Sequence, residues 1–164
     1  MKFNIATTLA IVTLSLGLSA RAESTLTLTG VHNCCKKCEN GITGAVAKVE
    51  GASATAVKDK VTITAKTDAD AKKAAASLVD AGYFGAGAEA PAVADAKVKS
   101  VTIEGVHLCC GKCVDAFNKA ATATAGVSKT DAVKGATSVK VEGDFSTKEF
   151  LAALNKGGFN GKLK

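Results

Sequence analysis

Two short stretches of the chain carry nearly all of its reactive side chains. Gly30-Val31-His32-Asn33-Cys34-Cys35-Lys36-Lys37-Cys38 returns, 75 positions on, as Gly105-Val106-His107-Leu108-Cys109-Cys110-Gly111-Lys112-Cys113. Between them they hold all six cysteines and both histidines of the 164 residues. Each contains a Cys-x-x-Cys pair, Cys35 with Cys38 and Cys110 with Cys113. At the start of a helix, two thiols at that spacing converge across the first turn. The unpaired N–H groups and positive potential of a helix N-terminus, with Lys36, Lys37 or Lys112 nearby, favour thiolate over thiol. Thiolates select soft or borderline ions such as Cu(I) and Zn(II). Cu(I) accepts two sulfurs in line, whereas Zn(II) asks for four ligands.

The elements expected to position these loops also come twice. Leu26 and Leu28 alternate with Thr25, Thr27 and Thr29, as Val101 and Ile103 alternate with their neighbours, which predicts a strand before each loop. After it, Cys38, Ile42, Ala45, Val46 and Val49 fall on one helical face, and Cys113, Phe117, Ala120, Ala121 and Thr124 repeat the spacing. Gly51 and Gly126 end these helices. A hairpin follows in each case: residues 52–58 turn at Asp59-Lys60 into 61–65, and residues 127–134 turn at Gly135 into 139–141. A second helix starts near Asp68, with Ala71, Ala74, Ala75, Leu78 and Val79 inward. Its counterpart starts at Ser146, with Glu149 at capping-box spacing and Phe150 and Leu154 buried. Gly82-Tyr83 and Gly158-Phe159 close the two runs before a short last strand. The order β-α-β-β-α-β predicts an α+β chain of two tandem ferredoxin-like units, 23–87 and 97–164. They are joined by an Ala-rich linker, 88–96, that holds the only proline.

Residues 1–22 are expected to be a secretory signal peptide: a cationic start, an apolar run over 5–18, and Ala20-Arg21-Ala22 ahead of the cut. No second apolar run of membrane length follows, so the mature protein is expected to be periplasmic or secreted and free of the membrane. Cleavage removes Lys2 and Arg21 from a formal charge of +6. The remaining cations are interspersed with acids and lack interleaved aromatics, which argues against a nucleic-acid partner. Aromatics make up 4% of the chain and Trp is absent, so each core must rest on Val, Ile, Leu and Ala. Export places the thiols in an oxidising compartment. Three cysteines within five residues, twice, do not make a framework of loop-closing disulfides. A thiol–disulfide redox module is the rival reading of the Cys-x-x-Cys pairs, although the proline usual beside such an active pair is missing. No phosphate loop, Ser-His-Asp set or carboxylate pair supports hydrolysis, and an enzyme is not expected.

A β-α-β-β-α-β unit with Cys-x-x-Cys between the first strand and helix, and a Gly-aromatic near its end, resembles the heavy-metal-associated domains of copper chaperones, copper-exporting ATPases and periplasmic mercury-binding proteins. The resemblance covers nearly all of 23–164, as two copies. It implies that Cys35 with Cys38, and Cys110 with Cys113, bind the metal, and that Tyr83 and Phe159 cover the sites. It further implies a partner among metal-handling proteins or transporters. The loops depart from the family pattern: Val31 and Val106 stand where the family has Met, and two more residues precede each pair. The longer loops add His32 and Cys34, or His107 and Cys109. A Cys₃His set suits tetrahedral Zn(II), and three thiolates would suit trigonal Cu(I) or Hg(II). Cys34 and Cys109 read equally as third ligands, resolving thiols or plain loop residues. His32 and His107 read as ligands or as solvated strand ends. The expectation is an exported carrier of soft metal ions, Cu(I) first and Zn(II) or Hg(II) as alternatives, holding one ion per loop; a flexible linker of this length, spanning roughly 15–18 Å, also allows the two loops to meet face to face and share a single ion, or to act as independent beads.

Overall fold

The computed structural model describes residues 23–164; the expected signal peptide, 1–22, lies outside the described residues. The first half begins with β1 (Ser24–Leu28), whose alternating side chains bring Leu28 into the core. Helix α1 (Lys36–Val46) follows the first Cys loop and buries Cys38, Ile42, Ala45 and Val46, the face its spacing predicts. Strands β2 (Ser53–Val57) and β3 (Lys60–Ala65) form a hairpin that pairs Val57 with Lys60. Its turn is therefore Lys58-Asp59, one residue earlier than expected. Lys58 adopts the left-handed conformation (φ +54°) that a tight two-residue hairpin requires. Helix α2 (Asp68–Asp80) is capped by Thr67, whose hydroxyl accepts from the Asp70 N–H at 3.1 Å. The sheet runs β1-β3-β2, all antiparallel.

The second half comprises β4 (Lys97–Glu104), α3 (Gly111–Thr122), β5 (Val127–Thr130), β6 (Ser138–Ser146), α4 (Thr147–Lys156) and β7 (Lys162–Leu163), with strand order β5-β6-β4-β7. This is the full β-α-β-β-α-β order. Ser146 ends β6 and caps α4, accepting from the Glu149 N–H at 3.2 Å, as the capping-box spacing predicts. The short last strand forms only in this half, as β7 against β4. In the first half its place is taken by one bridge, Ala86 with Thr29. The Ala88 N–H donates to the Gly85 carbonyl at 3.0 Å and turns the chain away before a ladder can extend.

The segment 89–96 has no regular structure, but its end is fastened to the start of α4. The Ala96 N–H donates to Thr147 Oγ1 at 3.0 Å, Thr147 Oγ1 donates to the Ala94 carbonyl at 2.7 Å, and Ser146 Oγ donates to Asp95 at 2.6 Å. Leu28, Ile42, Ile63 and Leu78 fill the first half; Ile103, Phe117, Phe145, Phe150 and Leu154 fill the second. Val31, Val106, Leu108, Tyr83 and Phe159 join both into one apolar cluster that also takes in the cysteines. At roughly 1.5–3 kcal/mol for each large apolar side chain fully buried, this continuity is what holds the Cys loops together.

Candidate metal centre

Each half grips the other beside its Cys loop, and the grips are reciprocal. The Gly158 carbonyl, just beyond α4, accepts from the N–H of His32 (3.3 Å) and of Phe84 (3.1 Å). The Gly82 carbonyl, just beyond α2, accepts from the Asn160 N–H at 3.0 Å, and Asn160 Nδ2 donates to the Val79 carbonyl at 3.1 Å. Phe159 stacks on His32 with ring centroids 4.5 Å apart, and Tyr83 lies 4.7 Å from His107. Both approaches need glycine. Gly158 has φ +86°, and a Cβ there would fall 2.6 Å from the Gly30 carbonyl oxygen and closer still to the His32 nitrogen; at Gly82 (φ +90°) it would meet His107 N at 2.8 Å. Tyr83 and Phe159 are buried at this joint. The Tyr83 hydroxyl donates to the Cys38 carbonyl at 3.2 Å, pinning the first turn of α1.

The consequence is that the two loops are not separate. Sulfur–sulfur distances across the halves are 3.5 Å for Cys34–Cys110, Cys35–Cys109 and Cys38–Cys109, 3.6 Å for Cys34–Cys113 and 3.8 Å for Cys38–Cys113. Within the loops they are 3.6–3.8 Å. Cys34–Cys35, Cys35–Cys110 and Cys109–Cys110 lie within 4.8 Å. Every sulfur thus neighbours all the others but one. The three pairs left over, Cys34–Cys109, Cys35–Cys113 and Cys38–Cys110, face each other across the cluster, so the sulfurs stand at the corners of an octahedron. Cys38 and Cys113 are fully buried at its base; the other four are half-buried, and all six are free thiols.

Helix geometry sets the electrostatics. Cys35 and Cys110 are the N-cap residues of α1 and α3, in extended backbone conformation. The N–H groups of Cys38 and Lys37 face the Cys35 sulfur, beyond the reach of a formal capping bond, and bring its pKa down to about 6. The corresponding N–H groups of Cys113 and Lys112 lower that of Cys110. Burial pushes Cys113 up to about 11 and raises Cys34 and Cys109 as well. Six thiolates this close repel one another strongly, so the cluster stays partly protonated until cations replace the protons. Burial also lowers the pKa of both imidazoles, keeping them neutral and able to act as ligands.

All eight residues singled out in the sequence gather at this joint, but they are not equivalent. His32 brings a ring nitrogen within 4.8 Å of the Cys34, Cys38 and Cys113 sulfurs, a Cys₃His set drawn from both loops. His107 joins no such group among the described residues. The Nε2 atoms of both are buried without a hydrogen-bond partner among the described residues. Sequence reasoning missed Asn160, which ties the second half to α2 and whose signal was only its place after Gly158-Phe159.

No family model and no curated protein matches the chain. Among solved structures it is similar to the N-terminal soluble domains of Bacillus subtilis CopA, at 18% identity over 88% of this chain and 95% of that one, with a TM-score of 0.33. An overlap that loose bears on neither the site nor the arrangement of the halves. The α+β fold and the clustered cysteines define a thiol-rich site suited to a soft metal ion.

Proposed function

We propose that the protein binds soft metal ions, Cu(I) foremost, at the thiol centre shared by its two halves, and that it is exported and works in trafficking or sequestration. In this reading the halves are duplicated heavy-metal-associated domains, and the partner is another metal-handling protein that exchanges thiolate ligands with the half-buried rim of Cys34, Cys35, Cys109 and Cys110. The observation that carries the proposal is the convergence of six thiols at 3.5–3.8 Å from two loops 75 residues apart. Thiolates in such number favour Cu(I) over harder ions. The test is anaerobic Cu(I) titration against a competing chelator, beside Zn(II). Tight Cu(I) binding that is lost in the Cys35→Ser, Cys110→Ser double variant supports the proposal; unchanged binding in that variant refutes it.

The lowered pKa of Cys35, 3.7 Å from Cys38, favours a second reading as a thiol–disulfide module. That reading requires the metal-free protein to reduce or oxidise a dithiol substrate, and lack of such activity removes it.

A further inference from the structure

We infer that the centre is built for a tetranuclear cluster, four Cu(I) ions bridged by six thiolates, rather than for one ion in each loop. The inference rests on the soft-metal reading above and specifies what form the bound metal takes. The octahedron has two alternating sets of four faces, and one of them gives the triads Cys34-Cys38-Cys113, Cys34-Cys35-Cys110, Cys35-Cys38-Cys109 and Cys109-Cys110-Cys113, each able to surround an ion. Every cysteine belongs to two of the four. The triads are alternate faces of the octahedron, and an ion on each face makes every thiolate a bridge between two ions.

Other arrangements fit this sulfur set less well. No four corners of an octahedron are all mutual neighbours, so the cluster offers no tetrahedral site of four sulfurs. A single ion at the centre would lie about 2.5 Å from all six sulfurs, beyond a metal–thiolate bond of about 2.3 Å and at a coordination number foreign to these ions. A two-sulfur ion in each loop would leave Cys34 and Cys109 as protonated neighbours at 3.5–3.8 Å from the ligands. Trigonal sites use all six. In Cys34-Cys38-Cys113 and Cys35-Cys38-Cys109, edges of 3.5–3.8 Å place the centre about 2.1 Å from the sulfurs, and a 2.3 Å bond is reached when those edges widen by about 0.3 Å; the edges of the other two triads lie within 4.8 Å.

Charge also balances. Six neutral thiols release six protons and take up four Cu(I), leaving the cluster with two negative charges and no change in oxidation state. The N-termini of α1 and α3 both open onto it and offer positive potential to that dianion. Tyr83, Phe159, Val31, Val106 and Leu108 share the apolar cluster that buries Cys38 and Cys113, while the other four sulfurs are half-buried.

The test is anaerobic titration of the purified, reduced protein with Cu(I), followed by native mass spectrometry and copper X-ray absorption. The expected result is a species with four Cu(I) per chain that appears while metal-free protein remains, with sulfur-only first-shell scattering, short Cu–Cu scattering and the visible luminescence of a shielded Cu(I)–thiolate cluster. Saturation at one or two Cu(I) with no Cu–Cu scattering overturns the cluster but leaves soft-metal binding standing. A sulfide-containing iron product on isolation also overturns it. No tight binding of Cu(I) sinks the underlying reading itself. The Cys34→Ser, Cys109→Ser variant keeps both Cys-x-x-Cys pairs and should hold two Cu(I) or fewer with no Cu–Cu scattering; four Cu(I) retained in that variant would refute the bridging assignment. If the variant fails to fold, the titration of the unaltered protein decides alone.

Discussion

Gly158→Ala is expected to pull the two halves apart and to lower metal capacity without touching a ligand. Three effects combine. A left-handed φ of +86° costs a residue with a Cβ about 1 kcal/mol. The new methyl would sit 2.6 Å from the Gly30 carbonyl oxygen, well inside contact distance, and both neighbours are backbone that cannot swing away. Relief therefore means moving the segment outward. That breaks the bonds from the His32 and Phe84 N–H groups to the Gly158 carbonyl, about 1 kcal/mol each, and the His32–Phe159 stack, about 1 kcal/mol more. The joint should be weakened by about 3–5 kcal/mol. Gly135→Ala is the matched control: its φ is +85°, but a Cβ there meets nothing within 4 Å, so it should cost only about 1 kcal/mol. Urea unfolding measures stability and Cu(I) titration measures capacity. The reasoning is refuted if Gly158→Ala tracks Gly135→Ala in both.

Three further outcomes can be checked. The alkylation rate of Cys35 should rise through a midpoint near pH 6, far below that of an ordinary thiol, because the helix N–H groups favour its thiolate; a midpoint above pH 8 would remove that account. The same two shifts give the pH dependence of stability: with its folded pKa depressed, Cys35 contributes stability that is present above about pH 9 and lost as pH falls towards 6, whereas Cys113, raised to about 11, withdraws stability as pH climbs from about 9. His32→Phe, which keeps the stack on Phe159 but removes the ring nitrogen, should weaken Zn(II) at the Cys₃His set about tenfold or more, roughly 1.4 kcal/mol, while changing Cu(I) uptake little; equal losses for both metals would contradict the triads. Tyr83→Phe should cost about 1 kcal/mol by leaving the Cys38 carbonyl without its 3.2 Å partner, visible in urea unfolding.

The period of the apolar residues located α1 to α4 and most strands, because each element buries one face and the pattern records which. It placed Cys38 and Cys113 on the buried faces of their helices, where the structure has them. The turn at Lys58-Asp59 was displaced by one residue because a left-handed lysine carries no compositional mark, unlike a glycine. A short last strand was expected after the Gly-aromatic of each half, but in the first the turn at Gly85–Ala88 ends it after one bridge. The eight candidate ligands were readable from their spacing. Their convergence was one of two arrangements the linker left open; it depends on Gly82 and Gly158 admitting backbone from across the joint, and nothing local to either glycine names its distant neighbour. The sequence pointed first to one ion per loop, with face-to-face loops sharing an ion allowed by the short linker, and the structure sets the loops against each other.

The reciprocal grips have a consequence of symmetry. A patch in which the Gly-aromatic of one half meets the histidine of the other, and the reverse, is the isologous contact of a twofold dimer, here made within one chain. Two separate copies would have to be identical at every matched position and would part on dilution. Within one chain neither constraint holds: assembly does not depend on concentration, and the matched positions need not be identical. The corresponding positions of the two loops and Gly-aromatic pairs do differ, as Tyr83 against Phe159, Asn33 against Leu108 and Lys36 against Gly111. His32, with its ring nitrogen within 4.8 Å of the Cys34, Cys38 and Cys113 sulfurs, stands at one end of the centre. One end of the centre can thus be tuned, by a single histidine, independently of the other, which no true dimer of one sequence could achieve.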